Sequence, residues 1–187
     1  HLVSEAEESL EKVSSIATQV KMLKNFPVTD GYIDLVDCIS SEVESLRRSY
    51  EILDKKIQLH FDDGGHRLLE FPISKTELSR ILQNLVHNAA HASAPKSEIK
   101  IAIRQHESKI LISVIDYGHG IPVEIQSMVF QPDFTSKPGT GTGLGLSVVK
   151  HITEARGGSV QLQSSKMGTK IDVIFSSPFN EGVSRGL

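Results

Sequence analysis

The feature of this sequence that most constrains its fold is the stretch GTGTGLGL at residues 139–146, in which four of eight residues are glycine. A helical pattern of apolar residues follows over about 144–155 and stops at Gly157-Gly158. Glycine at this density costs backbone entropy in any regular element, so something must require a bare backbone here. A glycine-rich turn that enters a helix presents free N–H groups and the positive end of the helix dipole, which both suit phosphate.

Two better-known phosphate motifs do not fit this stretch. No Gly-Lys-Ser/Thr follows the glycines, so the stretch is not a P-loop. It does not come directly after a strand, so the dinucleotide-binding fingerprint also fails. The remaining alternatives are a different kind of phosphate site and a flexible loop without a ligand.

Composition excludes several classes of protein. The formal charge of −3 over 187 residues predicts neither nucleic-acid binding nor contact with a membrane surface. The single cysteine, Cys38, cannot form an internal disulfide and is typical of a reducing compartment. No apolar run is long enough to span a bilayer and no signal peptide opens the chain. We therefore expect a cytoplasmic segment. Because His1 is not an initiator methionine, we expect a piece of a longer protein, which could be anchored in the inner membrane by another segment.

The order of patterns predicts three regions and an α+β fold. Residues 1–26 are predicted to form a helix with a heptad seam, which would pair with other helices or pack on the following domain. Residues 31–178 form the main domain, and 179–187 a tail or linker. The seam consists of Val3, Ala6, Leu10, Val13, Ala17 and Val20.

Within the main domain the pattern predicts a two-layer α/β sandwich, preceded by the N-terminal helix. A short strand near residues 32–35 leads into a helix whose apolar positions run to Tyr50. KIQLHF and HRLLEF are strand-like and flank the turn signal DDGG, while Ser74 and Glu77 form a capping box before a long helix. Hairpins over about 97–116 and 159–175 complete one mixed, mostly antiparallel sheet with about three helices on one face.

Two places besides the glycine stretch carry chemistry. Asn84 and Asn88 lie four apart and so share a face of the long helix, where they either cap loops or coordinate a hard cation such as Mg²⁺ through their amide oxygens. His91 lies on the same side. Asp116 ends an apolar strand in DYGHGIP, where its carboxylate either forms a turn or accepts a hydrogen bond from an exocyclic amine such as that of adenine.

Together and in this order, these motifs resemble the Bergerat-fold ATPase superfamily, and within it the sensor histidine kinases of two-component systems. The likeness covers about residues 1–178. The matching stretches are NLVHNAAHA for the N box, DYGHGIP for the first glycine box, FQPDFTSK for the F box and GTGLGLSVVKHI for the second glycine box. Residues 1–26 resemble the second helix of the dimerisation and phosphotransfer hairpin.

The resemblance implies a role for each matching position. Asn84 and Asn88 would hold Mg²⁺ against the triphosphate of ATP, and Asp116 would bind the adenine amino group. Residues 122–140 would form a lid over ATP, packed by Phe130 and Phe134, with Lys137 near the phosphates. Further nucleotide contacts would come from His91, Gly118, Gly120, Ile121, Phe134, Thr135, Gly141, Thr142, Gly143, Leu144, Gly145 and Leu146.

The sequence departs from the family pattern in three ways. Asp133 stands where the F box has an aromatic residue, a change that would loosen the lid, and Tyr117 replaces an asparagine. His91 stands where a phosphate-binding lysine is common, and a largely neutral imidazole holds phosphate less well. None of the eight histidines is followed by the acidic residue and proline of an acceptor site, so we expect the acceptor histidine to lie outside this chain.

Asn84 favours a kinase over an ATPase. The related gyrase and mismatch-repair ATPases have a glutamate there that activates water, whereas an amide cannot accept a proton as a general base. We expect a protein-histidine kinase domain that dimerises through hairpin helices and serves a response regulator or a fused receiver domain. The alternatives are a non-catalytic ATP-sensing or dimerising scaffold and an anti-sigma-type serine kinase.

Overall fold

A five-stranded sheet forms one layer of the protein. The computed structural model describes residues 31–132, 134 and 144–177. Its strands are Gln58–Asp62 (β2), Glu98–His106 (β4), Lys109–Asp116 (β5), Ser159–Ser165 (β6) and Gly168–Ser176 (β7). They lie in the order β2-β4-β5-β7-β6, where β2 and β4 are parallel and every other pair is antiparallel. A separate two-stranded ribbon pairs Ile33–Asp34 (β1) with Glu70–Phe71 (β3).

Helices form the second layer. Within the described ranges there are four α-helices and one short 3₁₀ helix, at Leu35–Leu46 (α1), Tyr50–Lys55 (α2), Lys75–Ala92 (α3), Gly145–Ala155 (α4) and Val123–Ile125 (3₁₀). The inward residues of the helices and strands form one buried cluster, which includes Leu35, Ile39, Leu82, Ile101, Ile112 and Phe175. On the opposite sheet face, Lys100 and Arg104 are exposed. The predicted two-layer sandwich with a mostly antiparallel sheet is therefore confirmed.

Two local expectations need correction. The helix that begins at Leu35 ends at Leu46, and a second helix starts at Tyr50 because Ser49 has an extended backbone. KIQLHF and HRLLEF do form strands on either side of the DDGG turn, but they belong to different sheets. The first of them adds to the edge of the main sheet beside β4, and the second pairs with β1.

The long helix α3 is fixed at both ends. Ser74 and Glu77 form the predicted capping box: the Ser74 hydroxyl oxygen accepts from the Glu77 N–H at 3.1 Å, and the Glu77 carboxylate accepts from the Ser74 N–H at 2.8 Å. At the other end the Lys55 ammonium donates to three backbone carbonyls, at 2.8, 3.1 and 3.1 Å. A cation at a helix C-terminus satisfies carbonyls that have no partner within the helix. These three carbonyls are those of Ala90, His91 and Ser93.

No helix in the described part of the chain combines the length and the apolar character that crossing a membrane requires. The predicted N-terminal helix over 1–26 and the tail over 179–187 lie outside the described residues.

Candidate nucleotide-binding site

Helices α3 and α4 meet where Asn84 faces Gly145. The Asn84 side-chain N–H group donates to the Arg80 carbonyl at 2.8 Å, which leaves the amide oxygen directed at α4. A Cβ atom built on Gly145 would lie 2.8 Å from that oxygen and 3.7 Å from the Asn88 Nδ2 atom. Asn84 is half-buried and Asn88 is exposed. The structure therefore brings both predicted amides to the start of the helix that follows the glycine stretch.

The start of α4 is suited to an anion. The Val148 N–H and the Ser147 hydroxyl both donate to the Leu144 carbonyl at 2.9 Å, and the N–H groups of the first turn have no acceptor within the helix. Leu144 is buried and the Leu146 side chain packs against the core, so either residue can reach a ligand only through its backbone. The bare Gly145 leaves open the space in front of these N–H groups.

Asp116 ends β5 as a buried carboxylate. Asp116 is only 6% exposed, and its carboxylate accepts a hydrogen bond from the Gly118 N–H at 2.8 Å. Burial raises its pKa, because removal from water disfavours the charged form. Backbone hydrogen bonds at Gly118 and Thr169, together with the nearby His119, oppose that rise in pKa. Such a carboxylate still has acceptor sites for an amine donor.

The glycines of DYGHGIP allow close backbone packing. A Cβ atom on Gly118 would lie 2.3 Å from the Ala92 carbonyl oxygen at the end of α3. Gly120 has φ of +69°, and a Cβ atom there would lie 1.7 Å from the Ser165 carbonyl oxygen. The first glycine box is thereby held against both α3 and the β6–β7 turn, which fixes the position of Asp116.

Two hydroxyl residues of the closing hairpin, one of them opposite Asp116, were not among the predicted site residues. Thr169 lies opposite Asp116 in the β5–β7 register, and its hydroxyl is 2.9 Å from the Ser164 hydroxyl. The Ile121 N–H donates to Ser164 Oγ at 2.8 Å, which ties the glycine box to β6. The usable signal was that both residues occupy inward positions of the closing hairpin that otherwise carry apolar side chains.

The other predicted site residues divide into two groups. The His91 side chain is exposed on the last turn of α3, while Ile121, Phe130 and Phe134 are half-buried. The predicted contacts of the second group lie outside the described residues, so they stay predictions. That group comprises Thr135, Lys137, Gly141, Thr142 and Gly143, as well as the departure at Asp133.

A two-layer fold that holds a buried carboxylate behind a glycine box, and two amides facing a helix N-terminus, is the arrangement that the resemblance to ATP-binding domains leads us to expect. Residues 73–181 match the family described as histidine kinase-, DNA gyrase B-, and HSP90-like ATPase, and the chain belongs to this family. The resemblance to its ATP-binding domains is thereby confirmed.

Named relatives narrow the class to sensor histidine kinases. The chain is 29% identical to the sensor histidine kinase ZraS of Salmonella typhimurium over 150 residues, which is 80% of this chain and 31% of the relative. It is 33% identical to ZraS of Escherichia coli over 134 residues, or 72% of this chain and 28% of the relative. The catalytic domain of histidine kinase ThkA superimposes with a TM-score of 0.69 at 28% identity, covering 79% of this chain and 95% of that domain. The chain thus corresponds to the ATP-binding catalytic domain of sensor histidine kinases and spans less than a third of the two curated relatives' length.

Proposed function

We propose that this domain transfers the γ-phosphoryl group of Mg-ATP to a histidine outside the chain, from which a response regulator aspartate receives it. The observation that carries the proposal is the Asn84 amide oxygen at the start of α4. Asn84 lies about 12 Å along α3 from Ala92, at about 1.5 Å per residue. The Ala92 carbonyl in turn contacts the glycine box of Asp116. The base-binding and phosphate-binding groups are therefore held apart by one rigid helix.

The choice of an amide at position 84 supports transfer rather than hydrolysis. An amide cannot act as a general base, so the site lacks the group that would activate water at this position. Phosphoryl transfer depends mainly on positioning and on charge neutralisation; the helix N-terminus and the two amides would position the phosphates, and a bound Mg²⁺ would neutralise their charge. A better nucleophile brought by a partner domain would then receive the phosphate.

The described residues fit Mg²⁺ only together with a nucleotide. Mg²⁺ prefers oxygen ligands; Asn84 offers its amide oxygen at the opening in front of Gly145, and the Asn88 amide group lies beside it. No group of three or more His, Cys, Asp or Glu side chains that could hold a metal ion occurs within the described ranges. The triphosphate oxygens would therefore complete the coordination, and the ion would neutralise their charge.

The proposal extends to the parts of a longer protein. Residues 1–26 would belong to the dimerisation hairpin, 31–178 to the catalytic domain and 179–187 to a tail or linker. A homodimer through the hairpin helices would present the acceptor histidine, and a response regulator or fused receiver domain would take the phosphate.

Transfer to a separate acceptor tests the proposal. The chain is incubated with γ-labelled ATP, Mg²⁺ and a polypeptide that carries the acceptor hairpin of a sensor histidine kinase. We expect acid-labile label on the acceptor and none on the chain alone. Asn84→Ala should abolish transfer, whereas Gln83→Ala, an exposed neighbour on the same helix, should not. Binding of Mg-ATP without any transfer would instead support the non-catalytic scaffold, and acid-stable label on serine would support the serine kinase.

A further inference from the structure

A buried ion pair joins the start of α3 to the end of α4. The Arg156 guanidinium donates three hydrogen bonds to the Glu77 carboxylate, at 3.0, 2.8 and 2.7 Å. The exposed fractions of the two side chains are 11% for Arg156 and 2% for Glu77. The two residues are 79 positions apart in the chain, so this contact exists only in the folded domain. It is a bidentate pair, the geometry that constrains a guanidinium and a carboxylate most.

The Glu77 carboxylate has a second task at the same place. One of its oxygens also accepts from the N–H and the hydroxyl of Ser74, at 2.8 and 2.7 Å. The Ser74 hydrogen bonds therefore fix the carboxylate to the first turn of α3 independently of Arg156. Arg156 is the C-cap residue of α4 and projects from the end of that helix. The guanidinium thus joins the end of α4 to the start of α3, where the Glu77 carboxylate is already held by Ser74.

The same two helices carry the phosphate site at their other contact. Glu77 at the start of α3 meets the end of α4, whereas Asn84, two turns further along α3, meets Gly145 at the start of α4. The helices therefore run antiparallel, with the ion pair at one end of their contact and the phosphate site at the other. A displacement of α4 along α3 would change the distance between Gly145 and Asn84 directly.

A buried ion pair is weak support for stability, because desolvation of both charges offsets their attraction. Its best-attested role is to select one register among several that apolar packing would allow. The apolar contacts between two helices tolerate sliding, whereas a planar guanidinium bound through two nitrogens does not. The pair is thus better suited to fixing the position of α4 on α3 than to stabilising the fold.

We propose that Glu77 and Arg156 are positioning residues that set the axial position of α4 on α3, and with it the spacing between the Asn84 amide and the phosphate-binding N-terminus of α4. This inference rests on the proposed function, because it assumes that phosphates bind at Gly145. Its consequence is selective. The pair governs affinity for the phosphate chain of a nucleotide, and not affinity for the base at Asp116, which is fixed by Gly118, Gly120 and the β6–β7 turn.

The test compares a ligand with phosphates and one without. Affinity for Mg-ATP is measured by calorimetry and affinity for adenosine by NMR titration, on the full chain and on Arg156→Met. We expect the dissociation constant of Mg-ATP to rise about tenfold or more, which corresponds to the loss of at least one hydrogen bond to a charged group. The dissociation constant of adenosine should stay within about twofold of the wild-type value. Arg156→Lys keeps the positive charge but not the two-nitrogen geometry of the guanidinium. It should therefore fold readily and show a smaller loss of affinity for Mg-ATP than Arg156→Met.

A matched control separates positioning from loss of stability. Ile39 is fully buried on α1, away from the contact of α3 with α4, so Ile39→Ala should lower the melting temperature without changing either affinity. Equal losses of Mg-ATP and adenosine in Arg156→Met, or unchanged Mg-ATP affinity in both Arg156 variants, would overturn the proposal. If Arg156→Met does not fold, Arg156→Lys alone decides between these outcomes. A wild-type chain that binds adenosine but not Mg-ATP would contradict the proposed function itself.

Discussion

Gly145→Ala separates nucleotide binding from folding. The added Cβ atom would lie 2.8 Å from Asn84 Oδ1, whereas ordinary van der Waals contact begins at 3.4 Å. The amide oxygen must therefore retreat by about 0.6 Å. It can do so because it is the end of a side chain, but the movement strains the hydrogen bond that the Nδ2 atom of the same amide donates to the Arg80 carbonyl. The substitution thus displaces the oxygen that we assign to Mg²⁺ and the phosphates.

The two consequences have opposite signs. Loss of one hydrogen bond or ligand to a charged group costs roughly 1.5–3 kcal/mol, so the dissociation constant of Mg-ATP should rise about 10- to 150-fold. The fold should not weaken, because the added atom meets only the end of a side chain and alanine is preferred over glycine within a helix by up to about 1 kcal/mol, an upper limit for Gly145 at the first helical position. For a domain of this size that gain corresponds to a rise in melting temperature of roughly 2–4 °C.

Calorimetry with Mg-ATP and thermal denaturation of the ligand-free chain measure both effects on the same samples. Gly31→Ala is the matched control, since no atom lies within 4 Å of the position of its Cβ. It should leave the affinity for Mg-ATP unchanged. Wild-type affinity for Mg-ATP in Gly145→Ala would refute the reasoning, because Asn84 would then have moved without any effect on the ligand.

Four further predictions concern the site and the helix end that supports it. Asp116→Asn should weaken ATP binding about 10- to 150-fold but leave inorganic triphosphate unaffected, and equal losses in calorimetry would place Asp116 away from the base. Because the pKa of Asp116 is raised in the folded state, its contribution to stability is present below the unfolded pKa of 3.8 and is lost as pH rises through the folded pKa. Asp116→Asn should therefore melt at a higher temperature than wild type at pH 7 and lose that advantage in acid. Mg²⁺ added without nucleotide should give no binding heat, since two amides alone hold it poorly, and tight binding of the ion alone would contradict the ligand set. Lys55→Met should lower the free energy of unfolding in urea by up to about 2 kcal/mol, whereas Lys55→Arg should retain most of it; no change for Lys55→Met would show that the cap at the end of α3 contributes little.

The sequence predicted those parts of the fold that local signals specify. The start of α3 was readable because Ser74 and Glu77 close a ring within one turn of helix. The β4–β5 hairpin was readable because apolar residues alternate on both strands, as at Ile101 and Ile112, across a short connection. In each case the determining contact joins residues that are close in sequence.

The contacts that the sequence did not reveal are those between distant segments. A period of two tells which face of β2 is buried, but not that its neighbour is the parallel strand β4. Glu77 was readable as a capping residue, whereas its partner Arg156 lies 79 positions later in the chain, at the end of another helix. Thr169 lies opposite Asp116 only through the sheet order, which no local pattern encodes, and Ser164 contacts Thr169 in turn.

The walls around Asp116 are made largely of main chain. Side chains are sterically excluded at Gly118, at Gly120 and at Gly168, where a Cβ atom would lie 2.1 Å from the Asp116 carbonyl oxygen. A side chain at any of these three positions would displace a neighbouring strand or helix, whether or not a ligand touches it. Substitutions that change ligand binding and leave the fold intact are therefore expected at other positions of the site.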